Sequence, residues 1–177
     1  LILATSLVPA LLIFWLPERA WRARAWLNLG GAAVKILLVV FLMVEVANGV
    51  THEARLDLAP GLYLLLRVDA LTLLFVSLSA FLWLMTTIYA IAYLGDGPNL
   101  SRFFGFFSLC VAATTGLALA GTLITFFIFF ELLTLTTWPL VVHKEDAKSV
   151  KAGRLYLAYS LPGSAALLVA IIWLESA

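Results

Sequence analysis

Long apolar runs alternate with short polar clusters along this chain. Six runs predict helices at 1–16, 26–47, 70–94, 103–122, 123–142 and 155–174. An α-helix needs about 20 apolar residues to cross a bilayer, and backbone groups in hydrocarbon must find their hydrogen bonds within the segment. The pattern therefore predicts an all-α, polytopic membrane helical bundle with about six transmembrane helices. We treat residues 1–177 as a single transmembrane domain.

The polar connections between the runs differ in length. The longest, 48–67, contains Pro60-Gly61 as a turn signal and predicts an extended hairpin or an interfacial segment. Asp69 stands just before the third run, where its carboxylate is expected to cap the helix N-terminus. The fourth and fifth runs meet at Ala120-Gly121-Thr122, which predicts a tight turn between antiparallel helices.

Composition excludes several classes of protein. Hydrophobic residues make up 64% of the chain, charged residues 12%, and the mean hydropathy is +1.08, which is too apolar for a soluble globular domain. The net charge of +1 offers no basic excess for a nucleic-acid partner. With one Cys and two His, neither an internal disulfide nor a Cys/His metal cluster is expected, and we predict no metal and no cofactor.

The distribution of Lys and Arg among the connections predicts the orientation. The connections after the first, third and fifth runs hold eight of these residues, whereas the connection after the second run holds only Arg55 and Arg67. By the positive-inside rule, the odd-numbered connections face the cytoplasm and the amino terminus lies outside.

Three ionisable residues lie inside apolar runs: Lys35, Glu45 and Glu131. An ionisable group at mid-bilayer costs roughly 2.5–3.5 kcal/mol, so it normally marks a functional site. Glu45 is close enough to the end of its run to reach the interface. Glu131 is therefore the first candidate for a proton relay, with Lys35 as a candidate charge partner. The alternative is that both residues only fix the packing of helices.

His143 follows the fifth run at the predicted cytoplasmic interface. An imidazole with a pKa of about 6.5 is suited to passing protons, so His143 is a candidate cytoplasmic proton relay. The alternative is an interfacial residue that is merely solvated. Paired catalytic carboxylates and a Ser-His-Asp set are absent from the sequence. A membrane enzyme is therefore the third class considered, after a transporter subunit and a structural scaffold.

Two stretches resemble a known family. The first is Phe126-Phe-Ile-Phe-Phe-Glu131-Leu-Leu-Thr-Leu-Thr-Thr-Trp-Pro-Leu-Val-Val-His143 with Ala152-Gly-Arg-Leu-Tyr156, and the second is Val68-Asp69-Ala-Leu-Thr-Leu-Leu-Phe75. They resemble the antiporter-like membrane subunits shared by respiratory complex I, membrane-bound hydrogenases and Mrp-type sodium/proton antiporters. Within that family, the first stretch is most similar to the D-type subunit of the Mrp antiporters.

The resemblance implies a transporter fold with two inverted five-helix repeats. Glu131 then falls on the family's essential fifth-helix glutamate, and the chain is expected to be an amino-terminal fragment that lacks the broken seventh helix with its partner lysine. Implied partners are other membrane subunits of a hetero-oligomeric complex and the lipid bilayer, with protons as the transported ion and sodium as a second candidate. The implied location is a bacterial or archaeal cytoplasmic membrane. In a complex I assembly, the chain would carry no redox chemistry itself.

Overall fold

A computed structural model describes residues 1–59, 62–94 and 97–176. Its elements, in chain order, are α1 Ala4–Phe14, α2 Trp21–Ala47, β1 His52–Ala59, β2 Leu62–Val68, α3 Ala70–Leu94, α4 Leu100–Ala118, α5 Leu123–Val141 and α6 Ala147–Ser176. Within the described residues, five helices, α2 to α6, are long and apolar enough to cross a membrane. The predicted polytopic helical bundle is confirmed.

The first helix is shorter than the apolar run that predicted it. α1 has 11 residues, which rise about 16 Å and cover about half of a bilayer's hydrocarbon thickness. The helix ends at Phe14, two residues before Leu16, although the apolar run continues to that residue. Leu16 precedes Pro17, and the proline ring disfavours helical backbone in the residue before it.

Two other helices begin before their apolar runs. α2 starts at Trp21 rather than at 26, and α6 starts at Ala147 rather than at 155. Hydropathy marks the part of a helix in hydrocarbon, whereas the helical backbone continues into the interface. For α6 the beginning is set by Asp146, whose Oδ1 accepts a 2.6 Å hydrogen bond from the Ser149 N–H.

The long connection is an extended hairpin, the first of its two predicted forms. Strands β1 and β2 pair in antiparallel fashion from His52 opposite Val68 to Asp57 opposite Tyr63. Their turn signal, Pro60-Gly61, lies outside the described residues. The backbone of β2 is also hydrogen-bonded to the α4–α5 connection, where the Gly121 N–H donates to the Leu65 carbonyl at 2.7 Å. α4 therefore ends at Ala118, four residues before the predicted end of its run.

The cap at the third helix is also present. The Thr72 N–H donates to Asp69 Oδ1 at 2.8 Å. This hydrogen bond holds the pKa of the Asp69 carboxyl below its usual range. The predicted capping role of Asp69 is confirmed.

Helix packing gives the bundle two distinct ends. At one end the Glu18 carboxylate accepts a 2.9 Å hydrogen bond from the Leu100 N–H, and Arg102 donates to the His143 carbonyl at 3.1 Å. The connections after α1, α3 and α5 therefore share one end, which we call the basic face because it holds eight Lys and Arg residues. The β1–β2 hairpin and the α4–α5 connection share the other end, the hairpin face.

The eight-to-two charge bias predicts that the basic face is cytoplasmic. With Cys110 first changed to Ser, Lys148→Cys is expected to react with an impermeant maleimide only from the cytoplasmic side. Leu56→Cys, which is exposed on the hairpin, is expected to react only from outside. Labelling of intact cells and of inverted vesicles checks this, and the reverse pattern would overturn the orientation.

Candidate functional site

Glu131 lies on α5, which packs antiparallel against α4. The contact is close because Gly116 of α4 faces the ring of Phe129, where a Cβ atom would overlap the ring. Six residues earlier on α4, toward the basic face, the Cys110 thiol lies 3.4 Å from the Thr136 hydroxyl. These two contacts fix the register of the helices and place Glu131 at the level of Thr115 on α4.

The Glu131 side chain is partly buried. Within the described part of the chain, its carboxylate makes neither a hydrogen bond nor an ion pair. The neighbouring Thr134 hydroxyl is buried and donates to the Phe130 carbonyl of its own helix at 3.1 Å.

The structure does not bring Lys35 into an ion pair with Glu131. Lys35 is fully buried on α2, and its ammonium donates to the Thr115 hydroxyl. The same ammonium lies 5.4 Å from the centre of the Trp83 ring, within the range of a cation–π interaction. The register places Thr115 level with Glu131, so Lys35 and Glu131 lie at similar depth, with α4 supplying the residue that Lys35 contacts.

Two further polar pairs join α2 to α4, and neither is among the residues predicted from the sequence. Arg24 donates to the Ser101 hydroxyl at 2.6 Å, and the Ser108 hydroxyl donates to Asn28 Oδ1 at 2.6 Å. Together with the Lys35–Thr115 pair they form a buried polar ladder, and each of its six side chains is at most 6% exposed. A signal was present in the sequence, because the ladder residues of α4 recur every seven residues on one helix face.

His143 lies at the basic face, two residues after the end of α5. Its ring packs edge-on against Phe103, with ring centres 5.3 Å apart. Burial lowers the pKa of His143, and the nearby Arg102 guanidinium lowers it further. Along the chain it is twelve residues from Glu131, or about 18 Å at helical rise. The structure therefore places His143 at the basic face of the bundle and not beside the glutamate.

Among the described residues, no group of three His, Cys, Asp or Glu is close enough to hold a metal ion. Of the two candidates within the apolar runs, Lys35 is hydrogen-bonded to Thr115, whereas Glu131 makes no hydrogen bond or ion pair with the described residues.

Two family models match this chain in sequence. The model described as "NADH:quinone oxidoreductase/Mrp antiporter, TM" matches residues 120–177, which include Glu131. The model described as "NADH-Ubiquinone oxidoreductase (complex I), chain 5 N-terminus" matches residues 61–104. Two separate parts of the chain thus match models of the antiporter-like membrane subunit family. The family resemblance seen in the sequence is confirmed.

Individual members of the family match over different lengths. The A/B-type subunit of a probable K(+)/H(+) antiporter of Rhizobium meliloti (strain 1021) is 28% identical over 166 residues, which cover 92% of this chain and 17% of that relative. The D-type subunit of a probable K(+)/H(+) antiporter of the same organism is 32% identical over 108 residues, covering 61% of this chain and 20% of the relative. Because relatives of both types match, the likeness to the D type stays a prediction.

A solved structure of the family has the same fold. The Mrp complex from Dietzia sp. DQ12-45-1b contains a chain that matches with a TM-score of 0.76 and 23% identity, over 96% of this chain and 18% of its own length. This chain spans about a fifth of the length of the antiporter relatives from Rhizobium meliloti.

Proposed function

We propose that this chain is part of a proton-translocating subunit of a multi-subunit membrane complex, in which Glu131 is the protonatable relay. The observation that carries the proposal is a partly buried carboxylate inside an apolar helix, with no partner in the described part of the chain. An acid that only fixed helix packing is expected to use its carboxylate in a contact. The relatives' names, which describe subunits of cation/proton antiporters, support a role among other membrane subunits.

The chemistry of the site favours protons over sodium. A carboxylate takes up a proton through one O–H bond, whereas a hard metal cation needs several oxygen ligands. We infer that sodium or potassium, if it is exchanged, binds elsewhere in the complex.

The energy of moving a proton across the membrane potential is similar to the cost of one charged side chain at mid-bilayer. Moving one elementary charge across 100 mV requires about 2.3 kcal/mol, and a charged side chain at mid-bilayer costs roughly 2.5–3.5 kcal/mol. In the proposed relay, the approach or withdrawal of a single cation supplies an energy of the size needed to move one proton. Lys35, level with Glu131, is one candidate cation, and His143 is a candidate for proton entry at the basic face.

In the alternative function, Glu131 and Lys35 only fix the packing of helices. One observation supports this alternative, and it concerns Lys35. Its ammonium is held by Thr115 and Trp83 within the bundle. Glu131 has no equivalent contacts in the described residues, so no observation of this kind supports the packing role for Glu131.

The relay role is tested by infrared difference spectroscopy of the complete subunit in its complex. A relay must change its protonation state, so a carboxyl C=O band is expected to appear or disappear between about pH 5 and pH 9. Glu131→Gln is expected to remove this band, and Glu45→Gln, at the hairpin face, is the matched control that keeps it. If wild type and Glu131→Gln give the same spectrum over this pH range, Glu131 does not exchange protons.

A further inference from the structure

Lys35 occupies an unusual position for a cation. It is 0% exposed, and α1, α3 and α4 pack around the part of α2 that carries it. α1 and α3 carry no charged residue, and the only charged residue of α4 is Arg102 near its first turn. On α2 itself the nearest charges, Arg24 and Glu45, are ten or more residues away, or about 15 Å along the helix. The ammonium is thus without a carboxylate partner in the described residues.

The hydrogen bonds of Thr115 suit both forms of the Lys35 amine. The Thr115 hydroxyl accepts from Lys35 Nζ and donates to the Val111 carbonyl at 2.6 Å. When the amine is neutral, Nζ carries a lone pair, and the hydroxyl can rotate to donate to it instead. The pair is therefore hydrogen-bonded before and after loss of a proton, which a purely structural cation does not need.

The polar ladder connects this site to the basic face. Arg24 and Ser101 lie at that face, Asn28 is one turn deeper, and Lys35 is two turns deeper again, which correspond to helix rises of about 6 and 10 Å. On the opposite side, Trp83 borders a groove of about 680 Å³ between α3 and α4. The Trp83 Nε1 and the Thr87 hydroxyl on α3 are buried and lack a hydrogen-bond partner among the described residues. Buried polar atoms without a protein partner commonly bind water.

We propose that Lys35 is a second proton-binding site of the subunit, separate from Glu131 and reached from the basic face along the α2–α4 polar ladder. In the transfer, one N–H bond of the ammonium breaks, the electron pair stays on Nζ, and the proton forms an O–H bond with a water molecule, which the proposal requires beside the amine. This inference goes beyond the proposed function and rests on it in one respect, since it requires that the complex moves protons.

The test uses the complete subunit in its complex, in inverted membrane vesicles. Proton flux is driven by an imposed sodium or potassium gradient and followed with a pH-sensitive dye, and assembly is followed on native gels. Lys35→Met keeps the length of the side chain but cannot bind a proton, so flux is expected to fall about tenfold or more in an assembled complex. Lys35→Arg is expected to behave in the same way, because a guanidinium keeps its proton.

Thr115 provides the matched pair of variants. Thr115→Ser keeps the hydroxyl and is the reference against which loss of that group is measured. Thr115→Val keeps the shape but removes the hydroxyl, so its pH profile is expected to shift relative to that of Thr115→Ser.

Assembled Lys35→Met or Lys35→Arg complexes with flux within about twofold of wild type would overturn the proposal. If Lys35→Met does not assemble, Thr115→Val decides: a shifted pH profile supports the proposal, and an unchanged profile overturns it. A wild-type complex without any proton flux contradicts the proposed function itself. Normal wild-type flux with no effect of these variants contradicts only the second site.

Discussion

Replacing Glu131 with Gln is expected to abolish ion-coupled proton flux while the complex still assembles. Gln keeps the shape of the side chain and its ability to form hydrogen bonds, but it cannot gain and lose a proton. Loss of a positioned proton-transfer group typically costs a factor of about 10² to 10⁴ in rate, so flux is expected to fall at least about a hundredfold. Dye-monitored flux in inverted vesicles and native gels of the same membranes measure both properties together.

The matched variants separate a relay from a packing role. Glu131→Asp retains an ionisable group and is expected to restore part of the flux. Glu45→Gln is the control for loss of a carboxylate, because Glu45 contacts His52 at the hairpin face, where Nε2 and Oε2 are 2.6 Å apart, and it is expected to leave flux unchanged. Near-normal flux in Glu131→Gln, with failure of Glu131→Leu to assemble, would show that Glu131 only fixes packing.

Gly116→Ala is expected to lower the thermal stability of the protein by several degrees. A Cβ atom at Gly116 would overlap the ring of the buried Phe129, so α4 and α5 must move apart or the ring must leave its position. Overpacking of this kind costs about 1–3 kcal/mol, which exceeds the gain of up to about 1 kcal/mol from replacing Gly with Ala in a helix. Because this contact sets the level of Glu131, proton flux is expected to fall as well. Thermal unfolding of the purified complex and flux assays measure the two effects.

Gly30→Ala is the matched control for the same substitution. A Cβ atom at Gly30 meets nothing within 4 Å in the described residues, so the substitution is expected to leave stability unchanged or to raise it slightly. Equal melting temperatures for Gly116→Ala and wild type would mean that the close α4–α5 contact does not hold the two helices together.

Several features of the fold are predictable from the sequence because they depend on local free energies. The apolar runs predict where the membrane helices lie, since transfer into hydrocarbon depends on the composition of each segment. Asp69 predicts the start of α3 in the same way, because a cap and the amides that it satisfies are neighbours along the chain. The long connection predicts either a hairpin or an interfacial segment, and the tertiary structure selects the hairpin. Helix ends are less predictable, as α1 and α6 show, because caps and prolines set the ends of a helix and these need not coincide with the ends of the apolar run.

The order of residues is enough to predict the class of the protein and the approximate positions of its membrane helices. It also identifies Glu131 as a candidate, because a single acidic residue within a long apolar run can be recognised without a structure. Only the packing of the helices decides the partners of Lys35, the position of His143 at the basic face and the pairing of ladder residues across α2 and α4. Which side chains meet depends on the rotation and register of each helix. The apolar pattern does not set these in a membrane helix, because the lipid-facing and the buried sides are both apolar.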